Sequence, residues 1–286
     1  MTAIQVSKLS KTFGKYNKAL NNVSVTLSKG EMVALIGESG SGKSTLIRQI
    51  AGLVPGDTGS ISVFGSFVQS NGRISKNARK HRRDIGVVFQ QFNLVNRLSV
   101  LTNVLMGVLG RVPAWRTTFG FFTKTEKQLA MSALSRVGMV EHAAKRSSNL
   151  SGGQQQRAAI ARTIVQGAKL ILADEPIASL DPASSRKVMD NLARVNKDDA
   201  VTVLVSLHQV DYALEYCPRT IAMRRGEIVF DGPSNKLTPQ FLRELYGADS
   251  IETIAQKKHE KPAQKKNAMG TIGDNNAEAA LAYGTS

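Results

Sequence analysis

"EMVALIGESGSGKSTLIRQIAGL", residues 31–53, opens as an apolar strand, breaks into glycines and closes as a helical run. Its middle, "GESGSGKST" at 37–45, matches the phosphate-binding pattern G-x-x-x-x-G-K-[ST], and it stands in the strand–loop–helix context that the pattern requires. Gly37, Gly40 and Gly42 let backbone N–H groups approach phosphate oxygens, and the helix N-terminus adds positive potential. Lys43 is placed to reach the β- and γ-phosphates and Ser44 to ligate Mg²⁺, with Glu38, Ser39, Ser41 and Thr45 completing the loop. A plain glycine turn accounts for the glycines but not for Gly-Lys-Ser in that order.

Around this loop, short β-rich runs alternate with longer helical patterns, as expected of a parallel sheet covered by helices. "IGVVF" (85–89), "KLILA" (169–173), "VTVLVS" (201–206) and "RTIAM" (219–223) are predicted to be buried strands beside "EMVALI". Between "FQQFN" and "NLSGG" the apolar residues fall at helical spacing in "SVLTNVLMGVL" and "TEKQLAMSALSRVGM". This predicts a helical lobe, roughly 92–160, inserted into an α/β domain spanning 1–250. From 251 to 286 the chain is poor in aromatic and β-branched residues, a composition that predicts a disordered tail.

A phosphate loop needs a carboxylate for the metal, and "KLILADEP" supplies two at the end of an apolar strand. Successive strand residues face opposite sides, so Asp174 and Glu175 can do different work: one holding Mg²⁺, the other polarising the attacking water. Another anion-binding signature lies in "NLSGGQQQRAAIAR" (149–162), where a serine and two glycines precede a helix.

The bulk figures agree with an anion-handling protein. The chain has 286 residues, 42% of them hydrophobic, and 38 Lys and Arg against 22 Asp and Glu, a formal +16. Such a surplus suits a nucleotide, nucleic acid or acidic membrane surface. The tail holds five lysines against four acids, so the basicity belongs to the folded part. A single cysteine, Cys217, excludes an internal disulfide and reads as a packing residue. No leader pattern opens the chain and no apolar run approaches the roughly 18–20 residues that span a bilayer, so a membrane role is expected to need a separate subunit.

The motifs "GESGSGKST", "FQQ" (89–91), "LSGGQQQR" (150–157), "LILADEP" (170–176), "SLD" (179–181) and "SLHQ" (206–209) occur in the order found in ATP-binding cassette ATPases. The chain resembles that family over roughly residues 1–246. The resemblance implies a P-loop NTPase (RecA-like) parallel core with N-terminal antiparallel strands and an inserted α-helical signature subdomain. It implies ATP and Mg²⁺ as ligands. Phe13 in "KTFGK" resembles the aromatic that stacks on adenine, with Tyr16 a rival; Gln90 resembles the loop glutamine that senses Mg²⁺ and the membrane partner. Glu175 is similar to the general base, and His208 to the switch histidine at the γ-phosphate. Ser151, Gly153 and Gln154 match the signature residues that complete the pocket of a second copy, and Asp181 the acid that signals across the dimer.

"FQQFNLVNRLSVLTNVLMGVLGRVPAWR", "LADEPIASLDPAS" and "LHQVDYALEYCPR" together resemble the ATP-binding subunits of bacterial phosphonate importers. That resemblance implies a homodimer peripheral to the cytoplasmic face of the inner membrane, contacting a permease directly and a solute-binding protein indirectly, with no nucleic acid expected. The alternatives are an importer ATPase for another solute, or a soluble cassette protein of DNA repair or translation. "NKDD" (196–199) mimics a guanine-binding pattern but precedes a strand, and is read as a helix end and turn. The basic run "RISKNARKHRRD" (73–84) is read as a solvated face, with nucleic-acid or lipid contact as the alternative. "RVPAWRTTFGFF" (111–122) reads equally as core packing or as a docking surface.

Overall fold

The computed structural model describes residues 1–14, 17–113, 115–116 and 120–246. Tyr16, four residues of the aromatic stretch and the expected tail lie outside them. Two sheets carry the fold. The first, antiparallel, has the order β2-β1-β4-β5-β6, formed by β1 (Thr2–Phe13), β2 (Asn17–Ser28), β4 (Thr58–Val63), β5 (Ser66–Ser70) and β6 (Arg73–Ile74).

The second has the order β11-β10-β3-β9-β8-β7, from β3 (Met32–Ile36), β7 (Ile85–Val88), β8 (Leu170–Asp174), β9 (Thr202–Leu207), β10 (Arg219–Arg224) and β11 (Glu227–Pro233). All its pairings are parallel except β10–β11. All five predicted strands are present, each within a residue or two of its expected bounds. β11 was missed: its burial alternates between exposed and intermediate instead of running apolar. Its start is marked by Arg225 and Gly226, both at positive φ (51° and 82°), a two-residue hairpin turn matched to strand twist.

Every residue of β3, β8 and β9 is buried. Their alternation feeds two cores. Val33, Leu35, Leu170, Leu172 and Leu204 point toward the antiparallel sheet and join Ile4, Leu9, Leu27 and Ile61. Met32, Ala34, Ile36, Ile171, Ala173, Val203 and Val205 point the other way, toward the helices. A parallel sheet buried on both faces needs such unbroken apolar runs.

Helix α1 (Lys43–Ile50) follows β3 and buries Leu46, Ile47 and Ile50 in the first core. The short α2 (Ala78–His81) lies in the basic run. Between β7 and β8 the chain forms α3 (Val100–Leu105), a 3-10 turn (Met106–Gly110), α4 (Lys124–Arg136) and α5 (Gly152–Gln166). α4 and α5 each begin with a capping box, Thr123 with Glu126 and Ser151 with Gln154, which satisfies N–H groups that the helix cannot. α5 packs against α3, α4 and the following α6 (Pro182–Asp199). α7 (Val210–Tyr216) and α8 (Pro239–Tyr246) complete the described chain. "NKDD" is the last turn of α6, as expected. Among the described residues no helix is long and apolar enough to cross a membrane.

Candidate functional site

The strand order sets β3, β9, β8 and β7 side by side and parallel, so four chain segments leave the same edge of the sheet. The carboxyl edge of such a sheet is where open α/β folds place their ligands. Here β3 delivers Gly37, β9 delivers His208, β8 delivers Asp174 and Glu175, and β7 delivers Gln90 two residues beyond Val88, which pairs with Ala173.

The three glycines of the phosphate loop divide their work. A Cβ on Gly37 would lie 2.2 Å from the Met223 carbonyl oxygen, and one on Gly42 would lie 2.4 Å from that of Ala19. These two glycines let the loop seat on β10 and β2. Gly40, at φ 79°, has open space at its Cβ position, so its backbone angle rather than a close approach is what calls for glycine there, and it leaves the loop open outward. Glu38, Ser39 and Gly40 are exposed; Ser41, Gly42 and Lys43 are buried; Ser44 and Thr45 are intermediate.

Lys43 Nζ donates to the carbonyls of Gly37 and Glu38 at 2.8 and 2.9 Å. Burial pulls its ammonium below the ordinary pKa, while the charges of Glu175 and Asp174 pull the other way. Ser41 Oγ is buried without a hydrogen-bond partner among the described residues. A folded chain seldom leaves such a group orphaned, and a phosphate oxygen would satisfy it.

Ser44 Oγ donates to Asp174 Oδ1 at 2.8 Å across 130 positions of sequence. A hydroxyl beside a buried carboxylate is the all-oxygen donor set that Mg²⁺ prefers, and the remaining ligands would be phosphate oxygens and water. Gln90 is exposed and has no hydrogen-bond partner among the described residues, so the structure does not bring it to Ser44 or Asp174.

Glu175 follows the last residue of β8 with φ 51°. Strand alternation was the expected reason for the two acids to part; the left-handed turn at Glu175 is what parts them. A non-glycine residue held in that region costs of order 1–3 kcal/mol. His208 Nε2 meets Glu175 Oε1 at 2.6 Å. The pair lines a cleft of about 230 Å³ together with Ile177, Ala178 and Ser206.

Sequence reasoning gave no role to two residues at this edge. Ser206 Oγ accepts the Glu175 N–H at 2.8 Å and donates to Asp174 Oδ1 at 3.1 Å, so one hydroxyl spaces both acids. Its signal was available: a serine in the wholly buried run "TVLVSL" needs polar partners. Tyr246, whose Oη accepts the Gly37 N–H at 3.0 Å from 209 residues away, carried no such signal.

The second phosphate signature forms a separate arrangement. Ser151 is the exposed N-cap of α5 and accepts the Gln154 N–H at 3.3 Å, while Gln154 Oε1 accepts the Ser151 N–H at 2.9 Å. Gln154 Nε2 also meets His142 Nε2 at 2.9 Å. Gly153 is a close-packing point: a Cβ there would lie 2.7 Å from Ser184 Cβ. Asp181 caps α6 by accepting the Ser184 N–H at 2.9 Å, and the hydrogen bonds from Ser184 hold its carboxyl below the ordinary range. Two helix N-termini thus stand together. Among the described residues no hydrogen bond or ion pair links Ser151, Gly153 or Gln154 to Lys43, Asp174, Glu175 or His208. Phe13, at the end of β1, is 43% exposed with Lys11 Nζ 5.4 Å from its ring centre.

A family model described as "ABC transporter" matches residues 20–178. The "Phosphonates import ATP-binding protein PhnC" of Paraburkholderia xenovorans (strain LB400) is 58% identical over 254 residues, covering 88% of this chain and 84% of that protein. A relative of the same description from Pseudomonas aeruginosa (strain UCBPP-PA14) is 58% identical over 249 residues, covering 86% of this chain and 89% of its own length. Among solved structures, a dimeric ATP-binding cassette in a post-hydrolysis state bound to ADP and Pi is 31% identical with a TM-score of 0.72, covering 82% of this chain and all of that one. The cbiO1 protein of Clostridium perfringens, part of an ABC transporter complex, is 25% identical with a TM-score of 0.72, covering 90% of this chain and 98% of its own.

Proposed function

The chain belongs to the ABC transporter family, and from that premise we propose that it is the ATP-hydrolysing subunit of an importer that powers phosphonate uptake through a separate permease. The chemistry rests on one observation above the others: Lys43, the Ser44–Asp174 pair and the Glu175–His208 pair leave one sheet edge together. The cargo rests on the relatives of 58% identity described as phosphonate import proteins.

In this reading residues 1–250 form the ATPase domain, with the helical lobe inserted at roughly 92–160. Lys43 exchanges its two loop carbonyls for the β- and γ-phosphate oxygens of ATP, and the Ser41 hydroxyl gains a partner. Ser44 and Asp174 would hold Mg²⁺, which when bound supplies charge neutralisation at the phosphate oxygens. Glu175 takes a proton from the attacking water as its oxygen bonds to the γ-phosphorus and the bond to the β–γ bridging oxygen breaks, releasing ADP and phosphate. His208, by engaging Oε1, leaves Oε2 for that water and stands next to the γ-phosphate. Phe13 stacks on the adenine.

Among the described residues the signature at Ser151, Gly153 and Gln154 makes no hydrogen bond to its own chain's phosphate loop, which supports its serving the phosphate loop of a second copy, with Asp181 beside it. Two head-to-tail chains then enclose two nucleotides. Gln90, exposed at the sheet edge, carries the state of the site to the permease. The assembly sits on the inner face of the bacterial membrane, reached from outside by a solute-binding protein. Nucleic acid has no part in it.

The test is to purify tagged Glu175→Gln protein with ATP and Mg²⁺ from mildly solubilised native membranes and to identify its stoichiometric partners by mass spectrometry. A polytopic permease, with a binding protein that takes up a phosphonate, is the expected result. Ribosomal or DNA-associated partners alone would overturn the transport reading and leave the ATPase reading standing.

A further inference from the structure

A cleft of about 180 Å³ opens where the basic run meets the helical segment, and four arginines are among the residues that line it: Arg79, Arg82, Arg83 and Arg111. Among the described residues no carboxylate lines it. Asp84, the acid next in sequence, is engaged with Lys169 at 3.5 Å. Arg79, Arg82 and Arg83 make no ion pair among the described residues, and Arg111 gives one N–H to the Gly167 carbonyl at 3.2 Å. Like charges gathered in a concave surface repel, and an oxyanion that several forks can grip relieves the repulsion.

The floor of the cleft is built for close approach. Gly107 lets the 3-10 turn lie directly on α5, since a Cβ there would come within 2.5 Å of the Arg162 carbonyl oxygen. Gln166 Nε2 donates to the carbonyls of Arg82, Arg83 and Ile85, which ties the last residue of α5 to the arginine segment. The cleft therefore has fixed backbone on two sides, unlike a merely solvated charged face.

It also lies at the opposite edge of the sheet from the phosphate loop. Arg82 and Arg83 precede β7 and Gln166 precedes β8, whereas Gln90, Asp174 and Glu175 follow those strands. α5 runs from the signature serine Ser151, its N-cap, to this cleft, where Gln166 and the C-cap Gly167 lie.

We propose that the cleft between Arg79, Arg82, Arg83 and Arg111 is a second oxyanion site, distinct from the phosphate loop, that takes a phosphate or phosphonate group. That chemistry is shared by a free anion and by an anionic phospholipid headgroup. The site stands on its own geometry and does not depend on the nucleotide assignment.

The experiment uses the full chain both with Lys43 intact and with Lys43→Ala, which silences the phosphate loop. Inorganic phosphate and methylphosphonate are titrated by calorimetry, and phosphatidylglycerol vesicles are tested by co-sedimentation against phosphatidylcholine vesicles. Saturable binding of either small anion identifies a free oxyanion, and binding to phosphatidylglycerol vesicles alone identifies a headgroup. In both cases Arg82→Ala/Arg83→Ala is expected to weaken binding at least tenfold. Arg111→Lys, which keeps the charge and loses the planar fork, is expected to weaken it less, and it carries the test if the double variant does not fold. Absence of binding in every arm, or binding that neither variant changes, overturns the proposal. Anion binding that disappears with Lys43→Ala alone and survives the arginine variants assigns the anion to the phosphate loop, which also overturns it.

Discussion

The Tyr246 hydroxyl accepts the Gly37 N–H at 3.0 Å, so the last described residue of α8 closes onto the first residue of the phosphate loop. Burial pushes the Tyr246 hydroxyl up to about 12, so it stays neutral throughout the physiological range. Tyr246→Phe removes the acceptor and leaves a partly buried N–H unsatisfied, at a cost of about 1 kcal/mol or somewhat more. A weakening of ATP binding by roughly five- to tenfold, with little change in kcat, is expected from fluorescent-nucleotide titration beside steady-state kinetics. Unchanged affinity would show that the contact holds the C-terminal helix only.

Glu175→Gln keeps the shape and the His208 contact while removing the base. Turnover should fall by about 10²–10⁴-fold with ATP binding intact. Lys43→Ala should lose both binding and turnover. Phosphate release and equilibrium dialysis separate the two outcomes, and substantial hydrolysis by the Glu175→Gln protein would refute the assignment of the base.

Ser206→Ala removes the hydroxyl that spaces Asp174 from Glu175. The Glu175 N–H then lacks its partner and the strained turn loosens. We expect kcat to fall about tenfold and the unfolding free energy to drop by about 1 kcal/mol. Chemical denaturation and kinetics on the same preparation check both, and an unaltered kcat would reduce Ser206 to a packing residue.

Cys217 is 2% exposed, and burial pushes its thiol up to about 12 from an ordinary 9.0. The native state thus favours the neutral thiol, a contribution fully present below about pH 9 and lost as pH rises from there toward 12. Native protein at pH 8 should resist iodoacetamide over hours, and protein in guanidinium should label within minutes, as read by intact mass. Rapid native labelling would mean that the C-terminal part of the sheet opens readily.

What could be read from the chain was local. The phosphate loop between β3 and α1, the strands β7 to β10 and the signature serine as a helix cap all depend on residues within a few positions of one another. The capping box joining Ser151 to Gln154 spans three residues, and the apolar runs of β3, β8 and β9 declare a sheet covered on both faces. β11 escaped because an exposed edge strand needs no apolar run. The roles expected of His208 and Gln90 came from resemblance to a family, since a lone histidine or glutamine carries no periodic mark.

By itself the sequence determined the strands of the parallel sheet, the phosphate-loop motif and the family, because hydrophobic period, capping and glycine placement act over one or two turns of backbone. The tertiary structure decided which of those groups meet. Ser44 and Asp174 are 130 residues apart, Gly37 and Tyr246 are 209, and the four arginines of the second cleft come from two separate segments. Their meetings follow from the order β3-β9-β8-β7 and from the packing of α5 and α8, contacts between distant segments that no local spacing encodes.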